Sequence, residues 1–177
     1  MDYQVFQNYH QDCEADVNKQ INLELNSSCV YLSIIYFHSS YFDRDDVSLL
    51  HFAEFFRKRG HEGRGQAEQI VGFQNRRGGR ILMADFKKAE QDKWSNALAA
   101  MWRDLHMEKD VNQCLLDLHK LATHHADPYL RDFLQNNYLD EKLKIIKKLE
   151  DQITNLKRLG AAGNGLGEYL FDRFSMD

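Results

Sequence analysis

Apolar residues recur at spacings of three and four positions in four long segments of the chain and in one short segment near its end. This spacing brings the apolar side chains onto one face of an α-helix. The pattern therefore predicts helices at residues of about 11–38, 46–73, 93–122, 127–159 and 164–174. The fourth helix has the clearest start, because Asp127 can cap its first amides and Pro128 already has a helical backbone angle. Asp46 is the corresponding candidate cap of the second helix.

One connection between the predicted helices is much longer than the others. It runs from Gln74 to Trp94 and contains Gly78-Gly79, which we expect to end the second helix. A segment of this length can return along the bundle and join two helices that run in the same direction. We thus predict an all-α fold in a single domain over residues 1–177, built as a four-helix bundle with one long crossover and a short fifth C-terminal helix.

Composition and charge argue against several classes of protein. The net charge of the 177-residue chain is −4, which does not resemble the basic footprint of a nucleic-acid-binding protein. The N-terminus lacks the basic start and apolar run of a signal peptide, and the longest nearly apolar stretch is too short to span a membrane. Cys13, Cys29 and Cys114 are scattered and odd in number, as expected for free thiols in a reducing compartment.

Ionisable residues interrupt the inward faces of three predicted helices. Glu24 lies on the apolar face of the first helix, with Tyr31 two turns further along the same face. Glu108 continues the apolar stripe of the third helix, and Lys142 lies on the inward face of the fourth. A buried carboxylate is costly unless it is paired with a cation or bound to a metal. The sequence alone leaves two interpretations open, a structural ion pair with Lys142 and a metal site between helices.

Seven segments, found in every predicted helix, carry a further signal: "INLELNSSCVYLS", "YFDRDDVSL", "AEQIVGFQNRRGGRI", "LHMEKDVNQCLLDLHKLAT", "DPYLRDFLQNNYLDE", "ITNLKRLG" and "GEYLFDRF". In this order they resemble the animal ferritins, most closely those of the heavy-chain type. The resemblance implies a ferritin-like bundle, assembly into a hollow shell of twenty-four identical or mixed subunits, and storage of iron (Fe²⁺ and Fe³⁺) as a ferric mineral. A cytoplasmic location is also expected, with neither nucleic acid nor membrane as a partner.

The resemblance also implies a di-iron site, where heavy chains oxidise Fe(II). Glu24 and Glu108 match two of the family's metal ligands, and Tyr31 matches the neighbouring catalytic tyrosine. The family motif "HEEREHAE" aligns with "HEGRGQAE" in this chain, so Gly63 stands at the position of the bridging Glu and Gln66 at that of the His.

The fourth helix carries a further departure, because Lys142 replaces a family Gln. Glycine supplies no ligand, an amide is a poor ligand for Fe(II), and an ammonium group repels metal ions. We therefore expect an incomplete di-iron centre, a metal-free ionic cluster of Glu24, Glu108 and Lys142, and lost or severely weakened ferroxidase activity. We also expect Gly63→Glu with Gln66→His and Lys142→Gln to restore iron oxidation.

The resemblance extends unevenly to other functional positions. Glu62 and Glu68 match cavity-facing residues that help the mineral to nucleate, although both also fit ordinary solvated surface residues. His119 and Asp132 match residues of the three-fold pore. Gln135 replaces a second pore carboxylate, so the pore should attract Fe(II) less strongly. The residues expected to line an apolar four-fold junction are Leu166, Leu170 and Phe174.

About four residues near Ile34–Ser40 have no counterpart in the family pattern, which is slightly more than one helical turn. They either lengthen the first helix or enlarge the loop after it. Three functions remain: an iron-storage subunit with little oxidase activity, an active ferroxidase with a rearranged site that recruits Glu62 or Glu68, and a shell protein that stores nothing. Helix geometry disfavours the second, because Glu62 points about 100° away from position 63.

Overall fold

Six α-helices make up most of the computed structural model, which describes residues 5–42, 48–85, 96–160 and 165–175. The helices are α1 Gln11–Phe42, α2 Leu50–Arg76, α3 Ala97–His124, α4 Pro128–Leu134, α5 Asp140–Arg158 and α6 Gly165–Ser175. A π-helical turn at Gln135–Leu139 joins α4 to α5 with helical backbone angles at both joints, so the three form one rod. No strand occurs among the described residues. The predicted helical bundle with a short last helix is confirmed.

The bundle consists of two antiparallel helix pairs. In the first pair, Gln74 near the end of α2 donates to the carbonyl of Glu14 near the start of α1 (3.1 Å). At the other end, Phe52 stacks on Phe42, with ring centroids 5.7 Å apart. The second pair is α3 against α5, where Lys109 forms an ion pair with Glu150 (2.5 Å).

Helices α2 and α3 run parallel, which explains the long crossover between them. Arg59 in α2 contacts Asp104 in α3, and Arg77 at the end of α2 pairs with Asp127 just after α3 (2.8 Å). The described part of the crossover lies along α1. There Asn18 donates to the carbonyl of Arg80 (2.8 Å) and accepts from the backbone amide of Leu82 (3.1 Å).

Two apolar clusters fill the bundle, one towards each end. The first includes Phe52, Phe56, Met101, Leu105, Leu149 and Phe171. The second includes Val17, Ile21, Ile70, Leu115, Leu134 and Tyr138. Buried ionisable residues lie between members of the two clusters along the helices, as Glu108 does between Leu105 and Val111. The polar centre of the bundle is therefore enclosed by apolar packing at both ends.

The first helix is longer than the sequence pattern indicates, since α1 continues to Phe42. The backbone of the Ile34–Ser40 segment is part of α1, and its side chains lie outside the described residues. Of the two alternatives for the roughly four extra residues, the backbone therefore matches the lengthened helix.

The starts of α2 and α3 also differ from their predicted positions. Helix α2 begins at Leu50 rather than near Asp46, which lies outside the described residues. The reason is local backbone geometry, because Ser48 has a left-handed φ of 49° and Leu49 a non-helical ψ of 71°. Helix α3 begins at Ala97, where the side chain of Asn96 caps the helix by accepting from the amide of Ala99 (2.8 Å).

Two predicted helix signals match the structure. Asp127 caps α4 by accepting from the amide of Leu130 (3.0 Å), and Pro128 is the first residue of that helix. Helix α2 ends at Arg76, before Gly78-Gly79. Gly78 has a φ of +79°, and a Cβ there would lie 2.9 Å from the backbone nitrogen of Phe6. Both the backbone angle and the close approach therefore require glycine at this position.

Candidate functional site

Arg59 on α2 lies at the centre of a group of buried ionisable side chains. Its Nε and Nη2 donate to the two carboxylate oxygens of Asp104, both at 3.2 Å, which is the strong bidentate form of this ion pair. Its Nη2 also donates to Oε1 of Glu108. The exposed fractions of these side chains are 7% for Arg59, 0% for Asp104 and 4% for Glu108. The ion pairs are thus shielded from water, and loss of one partner would leave a buried charge unpaired.

Tyr31 on α1 joins the same network through its hydroxyl group. The hydroxyl oxygen lies 2.5 Å from Asp104 Oδ1 and 2.8 Å from Glu108 Oε1, and it accepts from Arg59 Nη2 at 3.1 Å. Burial and the two neighbouring carboxylates raise the pKa of Tyr31 well above its usual range. Tyr31 is therefore a neutral phenol that shares its single proton between two acids.

Lys142 on α5 supplies the second buried cation. Its Nζ donates to the amide oxygen of Gln66 (2.9 Å) and lies 3.2 Å from Glu108 Oε2 and 3.5 Å from Glu24 Oε1. The contact with Glu108 Oε2 has the distance of an ion pair without the alignment of a hydrogen bond. Glu24 also accepts a long hydrogen bond from Gln20 (3.4 Å). Each carboxylate oxygen of Glu108 therefore faces a cation.

The ionic cluster expected from Glu24, Glu108 and Lys142 therefore has six members, because it also contains Tyr31, Arg59 and Asp104. Burial raises the pKa of Glu24 and of Asp104, although Lys142 and Arg59 oppose the increase. Burial acts in the same direction on Glu108, but Lys142 and Arg59 outweigh it and lower the pKa of that carboxyl. Glu108 is thus the firmly ionised member. With three acids and two bases, one proton on Glu24 or Asp104 makes the ionic cluster neutral.

Gly63 and Gln66 lie beside the ionic cluster, one turn apart on α2. Gly63 is buried, and a Cβ at this position would lie 3.7 Å from Tyr31 Cδ2 and 3.8 Å from Ser28 Cβ, which are ordinary contacts. Gln66 directs its side-chain oxygen to Lys142, and its backbone carbonyl accepts from the hydroxyl of Tyr138 (2.7 Å). The structure therefore places Gln66 against the cluster, whereas Gly63 offers it no polar side-chain atom.

Glu62 and Glu68 point away from the centre of the bundle. Glu62 is partly exposed and forms an ion pair with Arg59 Nη1 (3.3 Å). Next to this pair, a pocket of about 170 Å³ opens between α2 and α5. Glu68 is exposed and pairs with Arg64 one turn away on α2 (3.4 Å). Only Glu62 therefore touches the ionic cluster, and it does so from the solvent side.

The remaining predicted residues lie on the surface of the chain, away from the ionic cluster. Asp132 and Gln135 are exposed on α4 and the π-helical turn, and His119 is partly exposed on α3. On α6, Leu166 and Phe174 are 63% and 73% exposed, and Leu170 is half-buried. The opposite side of α6 is docked by Phe171, which stacks on Phe52 with ring centroids 5.7 Å apart.

Sequence reasoning missed two members of the ionic cluster, Arg59 and Asp104. Arg59 lies three positions after the buried Phe56 and four before Gly63, and Asp104 lies four positions before Glu108. This helical spacing could have placed both on the inward faces. The signal was hidden because Arg59 ends a basic run, "RKR", whose other two residues are exposed.

Among the described residues, no helix combines the length and the apolar character needed to cross a membrane.

The ferritin-like domain family matches residues 14–159 of this chain. The middle subunit of ferritin from Aquarana catesbeiana is 56% identical over 173 residues, which cover 98% of this chain and 96% of that subunit. The helical bundle, its short last helix and these two matches agree, and the chain belongs to the ferritin family.

Proposed function

We propose that this chain is an iron-storage subunit in which the ionic cluster takes the place of a di-iron oxidation centre. Membership of the ferritin family supports iron storage. The observation that carries the more specific proposal is the environment of Glu108. Arg59 donates to its Oε1 and Lys142 lies 3.2 Å from its Oε2, so both oxygens that a metal ion would need already face cations.

The available donor atoms do not fit two Fe(II) ions. Gly63 has no side-chain ligand, Gln66 offers an amide oxygen that already accepts from Lys142, and Glu24 lies 3.5 Å from the same ammonium group. Iron binding here would have to displace two buried cations and leave their charges beside the metal. We infer that Fe(II) oxidation at this centre is lost or severely weakened.

An active oxidase that recruits Glu62 or Glu68 receives less support. Glu62 forms an ion pair with Arg59 on the solvent side, and Glu68 forms one with Arg64 on the surface of α2. For both residues the proposed role is to hold iron at the surface while the mineral nucleates. In this role the subunit depends on oxidation elsewhere, by oxidase-competent partner subunits or at the growing mineral surface.

Assembly into a closed cytoplasmic shell of twenty-four identical or mixed subunits is the second part of the proposal. The exposed Leu166 and Phe174 support it, because they lie eight positions, or about two helical turns, apart and so share one apolar face that suits packing between neighbouring α6 helices. His119, Asp132 and Gln135 are proposed to line a three-fold pore. The exposed Arg131 beside Asp132 would weaken its attraction for Fe(II).

Oxygen consumption after Fe(II) addition to assembled shells tests the proposed loss of oxidase activity. We expect a rate close to that of Fe(II) in protein-free buffer. A fast, saturable phase proportional to the subunit concentration would contradict the proposal and favour a rearranged oxidase site.

Mixed shells test the storage role separately. Shells assembled from this chain and an oxidase-competent ferritin subunit should form a mineral core, measured as iron retained per shell after gel filtration. Failure of such shells to retain iron would favour a shell protein that stores nothing. Elution of this chain as a monomer or dimer would contradict both storage and shell formation.

A further inference from the structure

Three potential metal ligands converge at the end of the bundle where α1 begins and α3 ends. His10 Nδ1 lies 3.4 Å from Asp12 Oδ2, and His125 Nε2 lies 3.2 Å from the same oxygen. The three ligand atoms all lie within 4.8 Å of one another. Asp12 is about 18 Å along α1 from Glu24, so this group is separate from the ionic cluster.

The distances suit a tetrahedral zinc ion. With bonds of about 2.0–2.1 Å from zinc to nitrogen or oxygen, neighbouring ligand atoms of a tetrahedral site lie about 3.4 Å apart. The two distances from Asp12 Oδ2 match this separation. Two imidazoles and one carboxylate leave a fourth position for water and favour Zn²⁺ over Mg²⁺ or Ca²⁺.

The start of α1 holds His10 close to Asp12. The backbone amide of Asp12 lies 3.2 Å from His10 Nδ1, and the same nitrogen lies 3.4 Å from Asp12 Oδ2. Because Nδ1 has a single lone pair, a bound metal ion would replace its contact with the amide.

The two imidazoles lie against each other while the site stays open to solvent. Their rings stack with centroids 3.6 Å apart and an angle of 13° between the planes, so the more exposed His10 ring has to turn for both lone pairs to meet one ion. His125 is the C-cap of α3, where its backbone amide donates to the carbonyl of Leu121 (3.0 Å), and its side chain is only 17% exposed. Asp12 and His10 are 62% and 49% exposed, so an ion can reach the ligand atoms.

We propose that His10, Asp12 and His125 bind one Zn²⁺ ion per subunit at this end of the bundle. The bound ion joins the start of α1 to the end of α3. The site is independent of iron storage, and its presence does not require the proposed loss of oxidase activity.

Crystals of the assembled protein soaked in zinc chloride, with diffraction recorded on both sides of the zinc absorption edge, test the proposal. We expect an anomalous peak bonded to the three ligand atoms in the parent and its loss in His125→Gln. His124→Gln is the matched control, because His124 is exposed and lies outside the group, with its ring at 73° to that of His125 and the centroids 5.0 Å apart. Absence of the peak in the parent, or its persistence in His125→Gln, would overturn the proposal.

Competition with a chromogenic zinc chelator measures the same site in solution. The parent and His124→Gln should hold one Zn²⁺ per subunit more than His125→Gln, whose affinity at this site should fall by roughly tenfold or more. His10→Gln, at a more exposed position, should show the same loss without a risk to folding. A peak in crystals without this difference in solution would mean binding at crystal concentration only and would also overturn the proposal.

Discussion

Arg59 on α2 reaches across the bundle and donates a hydrogen bond from Nη2 to Oε1 of Glu108 on α3, with both side chains almost completely buried. Arg59 also holds Asp104 through two hydrogen bonds. One guanidinium group therefore compensates two carboxylates that would otherwise be unpaired in an apolar environment.

Removal of Arg59 should destabilise the subunit strongly. We expect Arg59→Gln to lower the free energy of unfolding by about 3–5 kcal/mol, because Asp104 and Glu108 lose their shared partner. Guanidinium denaturation followed by circular dichroism measures the change. Arg64→Gln is the matched control, since it removes an exposed partner of Glu68 and should cost less than about 1 kcal/mol. Equal effects of the two substitutions would contradict the assigned role of Arg59.

Glu24 and Glu108 should contribute to stability in opposite ways as the pH changes. The folded-state pKa of Glu108 is lowered, so its contribution is present above the unfolded value of about 4.3 and is lost as the pH falls through the folded value. The folded-state pKa of Glu24 is raised, so its contribution is present below about 4.3 and is lost as the pH rises through the folded value.

At neutral pH, Glu108→Gln should therefore cost about 3 kcal/mol of unfolding free energy, whereas Glu24→Gln should be nearly neutral or stabilising. Denaturation at a series of pH values checks both variants, and the difference between them should shrink towards about pH 4. Glu150→Gln, which removes an exposed acid, controls for the change in net charge. A larger cost for Glu24→Gln than for Glu108→Gln at neutral pH would contradict the assigned ionisation states.

Substitution by alanine should change stability in opposite directions at the α2 glycines Gly63 and Gly65 and at Gly78. A Cβ at Gly63 meets only ordinary contacts and one at Gly65 meets nothing within 4 Å, so alanine at either position should stabilise the subunit by about 1 kcal/mol. Gly78→Ala should destabilise it, because of the left-handed φ and the 2.9 Å approach to Phe6. Thermal unfolding of the three variants measures these changes, and a loss of stability in Gly63→Ala would show that the site lacks room for a side chain.

Arg59 also changes what is needed to restore oxidation. Gly63→Glu, Gln66→His and Lys142→Gln supply ligands and remove one cation, but they leave the guanidinium group of Arg59 on Glu108. In place of the restored oxidation expected from the sequence, we expect the triple variant to oxidise Fe(II) at a rate close to that of the parent. Addition of Arg59→Gln should raise the initial rate of Fe(II) oxidation by roughly tenfold or more, measured by stopped-flow absorbance. A triple variant as fast as the quadruple variant would show that Arg59 does not block the site.

Local signals predicted much of the fold. The cap at Asp127-Pro128 and the end of α2 before Gly78 depend on the chemistry of neighbouring residues, which the sequence shows directly. The start of α2 could not be predicted, because it depends on the unusual backbone angles of Ser48 and Leu49, for which their side chains give no signal.

The ionic cluster was predicted only in part for a similar reason. Three members could be predicted because they interrupt apolar stripes: Glu24, Glu108 and Lys142. Arg59 could not, because it follows two exposed basic residues and resembles them in the sequence. Only the packing of three helices shows that its side chain points inward. The sequence gives still less indication of the group formed by His10, Asp12 and His125, because His10 and His125 are far apart in sequence and meet only in the folded chain.

Anomalous diffraction at the iron edge, recorded from crystals of the parent soaked anaerobically with Fe(II), tests the central claim most directly. The ionic cluster predicts no pair of iron peaks between Glu24 and Glu108, while iron bound at exposed carboxylates elsewhere shows that the soak succeeded. Strong paired peaks between these two residues, with Arg59 and Lys142 displaced, would show that the centre binds two irons and would contradict the account.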